Sequence, residues 1–328
     1  MTSELMQSVQ IRHGKGSADA LHLGATPRPA PAPHEILIRV AASGVNRPDI
    51  AQREGNYPPP PGASPILGLE VAGTIDACGA DVRQWQTGDR VAALLPGGGY
   101  ADYAVVDARH ALPVPADMAL EDAAGLPETV FTVYSNLFER GGLKAGETAL
   151  IHGANSGIGS TAILMAKAAG ARVIATARGP EKTARASALG ADLVIDATTH
   201  DFATLTREAG GANVVLDIIG GDYFARNISA LNPDGRLVQI ATMGGNIIEA
   251  DLLQWMFKRL TLTASTLRGR PAEEKARLTV AVATHAWPWF TSGAIRLPID
   301  RRFPMAEAAA AHRWLEQGNQ FGKVLLIP

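Results

Sequence analysis

One stretch constrains the fold more than any other: Leu150-Ile151-His152-Gly153-Ala154-Asn155-Ser156-Gly157-Ile158-Gly159-Ser160. It opens as an apolar run, breaks into small residues and continues through Thr161–Gly170, which reads as helix. A strand, a tight turn and a helix in that order make a cradle for a pyrophosphate. Backbone N–H groups of the turn and of the first helical turn face the anion, and the helix dipole favours negative charge there. Small residues let phosphates approach the backbone and let the helix pack on the strand. In the register that ends at Gly159, the pattern stands as Ala154-x-Ser156-x-x-Gly159, a departure from G-x-G-x-x-G. The turn alone is therefore weak evidence, and the sequence around it has to decide.

From Glu147 onward, strand candidates alternate with helix candidates. The strands are Thr148–His152, Arg172–Ala177, Leu193–Ile195, Val214–Ile218, Arg236–Ala241 and Leu260–Ser265. Helices are expected at Gly157–Gly170, Glu181–Leu189, Phe202–Ala209, Tyr223–Leu231 and Asp251–Lys258. Short apolar strands with intervening helices predict a doubly wound parallel sheet, and the phosphate turn follows the first of them, where such a sheet binds a dinucleotide.

The rest of the chain reads differently. Gln7 to about Leu126 is mostly β, with candidates at Glu35–Val40, Leu69–Ile75, Asp89–Leu95 and Tyr103–Val106, a short helix at Asn46–Arg53 and a stiff turn at Pro58–Gly62. Such short strands, broken by Pro and Gly, suggest a compact barrel-like domain. One or two helices are expected over Ala119–Arg140. After Arg270 come a helix over Ala272–Phe290 that ends at Pro288, an extended Pro298–Phe303, a helical Met305–Gln317 and a final strand Lys323–Ile327. The expected organisation is α/β: a dinucleotide domain over 127–269 inserted in a β-rich domain formed by 1–126 with 270–328, with a cleft at the boundary.

Composition excludes several classes. With 30 Lys and Arg against 32 Asp and Glu and no basic tract, neither nucleic acid nor an anionic membrane is indicated. Cys78 is the only cysteine, so no disulfide within the chain and no multi-Cys zinc site can form. Met1–Gln10 lacks a basic-then-apolar leader pattern, and no apolar run approaches a membrane span. The expectation is a soluble cytoplasmic protein.

The second strand of the alternating region reads the cofactor. Where such sheets place an acidic residue to bond a ribose 2′-hydroxyl, this chain has Ala177-Arg178-Gly179-Pro180-Glu181-Lys182. A guanidinium at Arg178 suits a 2′-phosphate, and Lys182, one helical turn on, adds a second charge. Surface charges at a helix start would look the same. An acid missing and a base present at one place favour NADPH over NADH, with Ala177 and Arg178 as cofactor-binding residues.

At this point the chain resembles the quinone oxidoreductase branch of the medium-chain dehydrogenase/reductase superfamily, essentially over its whole length. The resemblance rests on Ala42–Asp49, Pro65–Gly73, Gly88–Val91, Ala149–Gly159 and Leu189–Asp192. Arg53–Leu69 and Asp217–Gly245 look most like its tumour-suppressor-induced NADPH quinone reductase type. The resemblance implies a GroES-like β-rich catalytic domain and a homodimer paired at the sheet edge. It also implies site residues: Asn46 and Thr132 near the nicotinamide and its ribose; Ser156, Gly157 and Ile158, with Gly159 closing the turn, at the pyrophosphate; Ile240, Ala241 and Thr242 lining the nicotinamide pocket; Leu267 and Lys323 touching the cofactor from the returning segment; and Tyr57 facing the substrate. Tyr57 and Asn46 are the catalytic candidates.

Zinc-dependent relatives carry a ligand Cys where this chain has Val45-Asn46, and Gly-His-Glu where it has Gly68-Leu69-Glu70. No metal is therefore expected, and Glu70 reads as a structural carboxylate. An acceptor that reacts without a Lewis acid is then needed, which favours a quinone or an activated carbonyl. Hydride reduction of a quinone leaves a phenolate-like oxygen that the Tyr57 hydroxyl can stabilise. Tyr57 can equally brace the proline turn, and water can supply the proton while the site only aligns two flat rings. Reduction of α,β-unsaturated carbonyls is the alternative activity, and a non-catalytic NADPH- or RNA-binding relative is the alternative class.

Some features point elsewhere. The Gly153-x-x-x-Gly157-x-Gly159 turn also fits short-chain dehydrogenases, but no Tyr here has Lys four residues later. Trp287–Phe290 reads as packing ahead of a substrate lid, His152 as a satisfied core histidine, and Lys258-Arg259 and Arg301-Arg302 as solvated charges.

Overall fold

The computed structural model describes residues 4–328, so the first three residues of the Met1–Gln10 stretch lie outside it. In chain order the elements are β1 (Leu5–Ile11), β2 (Leu21–Pro27), β3 (Glu35–Val45), α1 (Arg47–Arg53), β4 (Glu70–Cys78), β5 (Arg90–Leu94), β6 (Tyr103–Asp107), β7 (Ala111–Pro113), α2 (Leu120–Ala123) and α3 (Pro127–Val133). A π-helical turn, Tyr134–Arg140, follows. Then come β8 (Thr148–Ile151), α4 (Gly157–Ala168), β9 (Arg172–Ala177), α5 (Pro180–Ala188), β10 (Leu193–Asp196), α6 (Phe202–Glu208), β11 (Ala212–Asp217), α7 (Tyr223–Ala230), β12 (Leu231–Gln239), α8 (Leu252–Lys258) and β13 (Thr261–Ala264). The chain ends with α9 (Ala272–His285), α10 (Trp287–Thr291), β14 (Ile299–Pro304), α11 (Ala308–Gln317) and β15 (Lys323–Ile327). Among the described residues, no helix is long and apolar enough to cross a membrane.

Two compact units divide these elements. The β-rich unit holds the described chain up to Phe131, with Arg268–Thr291 and Pro298–Pro328; the parallel-sheet unit holds Thr132–Leu267 and Ser292–Leu297.

In the parallel-sheet unit the strand order is β10-β9-β8-β11-β12-β13, with every pairing parallel. This is the doubly wound Rossmann arrangement, and the order reverses between β8 and β11. Its central strands are buried on both faces, which is why Ala149–Ile151 and Val173–Ala175 are unbroken apolar runs with no exposed side chain. Leu150, Ile174, Phe202, Val215 and Leu237 belong to one core.

The β-rich unit contains a β1–β2 hairpin and a seven-stranded sheet, β14-β15-β3-β4-β5-β7, with β6 also on β3. β3 divides one edge between two partners: Glu35–Arg39 pairs with β6, and Ser43–Val45 with β15. The second pairing sets Val324 opposite Val45 and so delivers Lys323 beside Asn46.

Three expectations need correction. β12 begins at Leu231, five residues before Arg236, and ends at Gln239, two before Ala241. Its register on β11 jumps between Leu231 and Arg236, which loops residues 232–235 out of the ladder, with Asp234 at φ +61°. The helix over Ala272–Phe290 is two helices that break at Ala286. Pro288 lies in the first turn of α10, where a missing N–H needs no partner. Lys258 is not a solvated charge: its ammonium donates to the carbonyls of Ile228, Ser229 and Leu231 at 2.7–2.9 Å, closing the end of α7.

Trp287 and Phe290 are buried, and the indole N–H donates to the Pro113 carbonyl, so this aromatic pair is core.

Candidate functional site

The parallel-sheet unit gathers its candidates at the carboxyl ends of its strands. Ser156 caps α4: its Oγ accepts the Gly159 N–H at 2.9 Å and donates to the Gly153 carbonyl at 2.8 Å. Gly153 adopts φ +72°, and a Cβ at Gly159 would stand 2.1 Å from the Gly153 oxygen. The turn thus closes only with glycine at 159, which keeps the first turn of α4 tight against the end of β8. Ser156, Gly157 and Ile158 are half-buried, on the open side of the turn. That arrangement fits a pyrophosphate.

Behind the turn runs a chain of buried polar groups. Thr176 Oγ1 lies 3.0 Å from His152 Nδ1, and His152 Nε2 lies 2.7 Å from Asn227 Oδ1. Asn227 Nδ2 donates to Asp217 at 3.0 Å, which fixes its amide and makes His152 the Nε2–H tautomer. Burial holds the His152 pKa below its ordinary value. His152 is a satisfied core histidine. Asp217 in turn accepts the N–H groups of Ile219 and Gly220, shaping the loop after β11.

Ala177 is buried at the end of β9, and Arg178 is exposed just beyond it. The nearby carboxylate is Asp196, at the end of β10, which accepts from Gly179 N–H and from Thr198. Lys182 is half-buried in the first turn of α5. Ile240 follows β12 and is half-buried, while Ala241 and Thr242 are exposed. Thr132 opens the segment entering the π-turn, and its carbonyl accepts from Asn136, whose Oδ1 accepts from Ser265 at 2.7 Å, near the buried Leu267.

The β-rich unit holds the other candidates in a buried ionic cluster. Lys323 Nζ lies 2.5 Å from Glu70 Oε1 and 2.6 Å from Asn46 Oδ1. Glu70 Oε1 also accepts from Asn46 Nδ2 at 2.8 Å, and its Oε2 accepts the Glu128 N–H at 2.8 Å. The Asn46 N–H donates to Asp49, which also accepts from Gly68 N–H and the Tyr100 hydroxyl. His312 Nε2 lies 3.2 Å from that hydroxyl, and Arg53 lies behind His312 on the Nδ1 side. Burial raises Asp49 to about 6 and depresses His312 to about 3.

Tyr57 is half-buried, with the Arg268 guanidinium 5.4 Å from its ring centroid and donating to its carbonyl. Gln52 and the Pro96 carbonyl hold Arg268 at 2.7 Å each, and Lys275 donates to the Arg268 carbonyl at 2.6 Å. Burial raises the Tyr57 pKa, with the charge of Glu128 acting in the same direction.

The alcohol dehydrogenase GroES-like domain family matches residues 32–116, and the zinc-binding dehydrogenase family matches residues 189–326. A quinone oxidoreductase of Pseudomonas aeruginosa is 33% identical over 91% of this chain and 92% of its own length. The chain belongs to the quinone oxidoreductase-like medium-chain dehydrogenases/reductases. It is also 31% identical, over 97% of its length, to the phthioceranic/hydroxyphthioceranic acid synthase of Mycobacterium tuberculosis, of which it spans 15%. Among solved structures, the Escherichia coli quinone oxidoreductase complexed with NADPH aligns with a TM-score of 0.88 at 28% identity, covering 98% of this chain and 100% of that one. The CurK enoyl reductase aligns with a TM-score of 0.85 at 29% identity, covering 99% of each chain.

The donor set of this quinone oxidoreductase-like chain does not fit zinc. Its Glu70 carboxylate is ion-paired with Lys323, and among the described residues no group of three His, Cys, Asp or Glu side chains is arranged for a metal. Sequence reasoning missed Arg268, Lys275, Tyr100, His312 and Glu128. Apart from Lys275, whose ammonium reaches the Arg268 carbonyl seven residues back, their partners lie far off along the chain, Arg268 being 211 residues from Tyr57, and no local spacing signals such a contact.

Proposed function

We propose that this chain reduces a quinone without zinc, using NADPH, and is most like the tumour-suppressor-induced NADPH quinone reductase type. One observation carries the cofactor choice: exposed Arg178 stands just past β9, where an acidic residue would select NADH. The NADPH in the Escherichia coli relative supports it. Bound NADPH supplies a hydride. The Gly157 and Ile158 N–H groups and the Ser156 turn hold the pyrophosphate, and Arg178 and Lys182 hold the 2′-phosphate beside Ala177. Thr132, Ile240, Ala241, Thr242 and Leu267 surround the nicotinamide. Asn46, pinned by Lys323 and Glu70, is a rigid contact for the carrier, and Tyr57 is a wall for a flat acceptor. The likeness to CurK supports a second reading, in which the acceptor is an α,β-unsaturated carbonyl.

Initial rates with a naphthoquinone and an enone, each with NADPH and NADH, separate these readings. We expect faster naphthoquinone reduction and a preference for NADPH. Replacing Arg178 with alanine is expected to weaken NADPH about tenfold to a hundredfold and leave NADH unchanged. Equal loss for both coenzymes overturns the phosphate assignment, and turnover of the enone alone overturns the quinone.

We further propose a homodimer. β13 is one of the two edges of the six-stranded sheet, and near it along the chain Leu252, Leu253, Met256 and Phe257 of α8 are exposed, Phe257 by 78%. Large apolar side chains beside an open strand edge suit a second copy of the same face. Light scattering is expected to read two chains for the wild type and one for Phe257→Asp; one chain for the wild type removes the proposal.

A further inference from the structure

A doubly wound sheet gives its two halves to the two ends of a dinucleotide, on either side of the point where the strand order reverses. Here that point lies between β8 and β11, and Arg178 past β9 places the adenosine end on the β9 and β10 side. The nicotinamide end then falls to the carboxyl ends of β11, β12 and β13. Those ends are laced in order: the Ile240 N–H donates to the Asp217 carbonyl at 3.0 Å, and the Ser265 N–H to the Gln239 carbonyl at 3.3 Å. Ser265, just past the edge strand β13, is the outermost of them.

A buried amide ties this edge to Thr132, which opens the parallel-sheet unit. Asn136 is 2% exposed. Its Nδ2 donates to the Thr132 carbonyl at 2.9 Å and to Ser135 Oγ at 3.3 Å, and its Oδ1 accepts the Ser265 hydroxyl at 2.7 Å. Every lone pair and proton used is of the right kind, so the amide has one orientation. It sits where the helix widens: Tyr134–Arg140 is π-helical, and the Gly141 N–H returns to the Asn136 carbonyl five residues back at 2.8 Å. Single π turns recur at functional sites. Thr132, held by its carbonyl, keeps a half-buried hydroxyl that makes no hydrogen bond among the described residues.

We propose that Asn136 is a positioning residue for the nicotinamide ring, fixing Thr132 at a set spacing from the end of β13; this rests on the hydride-transfer reading above. The amide touches neither coenzyme nor acceptor. It bolts together two segments 129 residues apart, so that the Thr132 hydroxyl meets the ring end of the coenzyme in one place. Hydride transfer depends steeply on such placement, and a shift of about 1 Å can cost about a hundredfold in rate.

The test compares wild type, Asn136→Ala, Ser265→Ala and Ser265→Thr with two ligands, NADPH and 2′-phospho-ADP-ribose, which lacks the nicotinamide ring. Calorimetric titration is expected to give one affinity for 2′-phospho-ADP-ribose in all four proteins. NADPH is expected to weaken about threefold to tenfold in both alanine variants, the scale of one hydrogen bond. With naphthoquinone, kcat of Asn136→Ala is expected to fall about thirtyfold while KM for the quinone stays within about twofold. Ser265→Thr keeps a hydroxyl and is expected to recover most of the rate that Ser265→Ala loses. Combining the two alanines is expected to cost no more than Asn136→Ala alone, because both break one link. Equal loss of the two ligands means that the amide only holds the unit together, and overturns the proposal. So does a kcat for both alanine variants within about twofold of the wild type. Should Asn136→Ala fail to fold, Ser265→Ala and its threonine counterpart carry the same comparison. A wild type that oxidises no NADPH takes down the hydride reading and this proposal with it, and that failure is seen before any variant is made.

Discussion

Replacing Lys323 with methionine is expected to cost the protein about 3–5 kcal/mol of stability, far more than loss of an ordinary ion pair. An exposed pair contributes at most about 1 kcal/mol because water solvates both charges as well as they solvate each other. Here the Lys323 side chain is 2% exposed and that of Glu70 is 0%, so neither charge has water to fall back on. The methionine keeps the aliphatic bulk and removes only the ammonium. Glu70 would retain donors from Asn46 and from Glu128 N–H but lose its sole counter-ion at 2.5 Å. It must then stay buried without a counter-ion. Urea unfolding at pH 8 reads the loss. Adding Glu70→Gln removes the stranded charge and is expected to recover most of the loss. A single-variant loss under about 1 kcal/mol at pH 8 would mean the pair behaves as an exposed one.

That pair also marks the boundary of what the sequence discloses. The parallel sheet was legible because its central strands are buried on both faces and announce themselves as local apolar runs. Val173, Ile174 and Ala175 need no partner to be recognised. The turn at Ser156 was legible for the same reason, since its strand, small residues and helix are contiguous. Glu70 could be read as structural, but its partner lies 253 residues away, and only the antiparallel pairing of β15 with the end of β3 makes them neighbours. The resemblance pointed to Lys323 as a cofactor contact, and nothing in that reading signalled that its ammonium also lies within hydrogen-bond distance of Glu70 and Asn46. Lys258 misled because a lysine at a helix end ordinarily faces water, and nothing local reports that the carbonyls closing α7 converge on it. Glu128 carried no signal at all: the carboxylate that accepts its N–H belongs to Glu70, 58 residues away.

Gly159→Ala is expected to damage stability and coenzyme binding together, and the coupling is what makes it informative. The added methyl carbon would stand 2.1 Å from the Gly153 oxygen and 2.9 Å from Ala154 Cα, both backbone atoms that no rotamer change can move aside. The struck carbonyl is the one that accepts the Ser156 hydroxyl, and that hydroxyl also caps the Gly159 N–H. Relief therefore requires α4 to back away from the end of β8, which strains the cap and withdraws the N–H groups that would meet the pyrophosphate. Overpacking of this kind costs roughly 1–3 kcal/mol, and a lost cap about 1 kcal/mol more. Calorimetric titration is expected to show NADPH weakened at least about a hundredfold, the scale of losing two charge-assisted hydrogen bonds. Ser156→Ala separates the causes, because it removes the cap without adding bulk and so is expected to lose stability by about 1 kcal/mol while the helix stays in place. If Gly159→Ala binds NADPH within about threefold of the wild type, the shape of this turn does not hold the phosphates, and the coenzyme assignment loses its foundation.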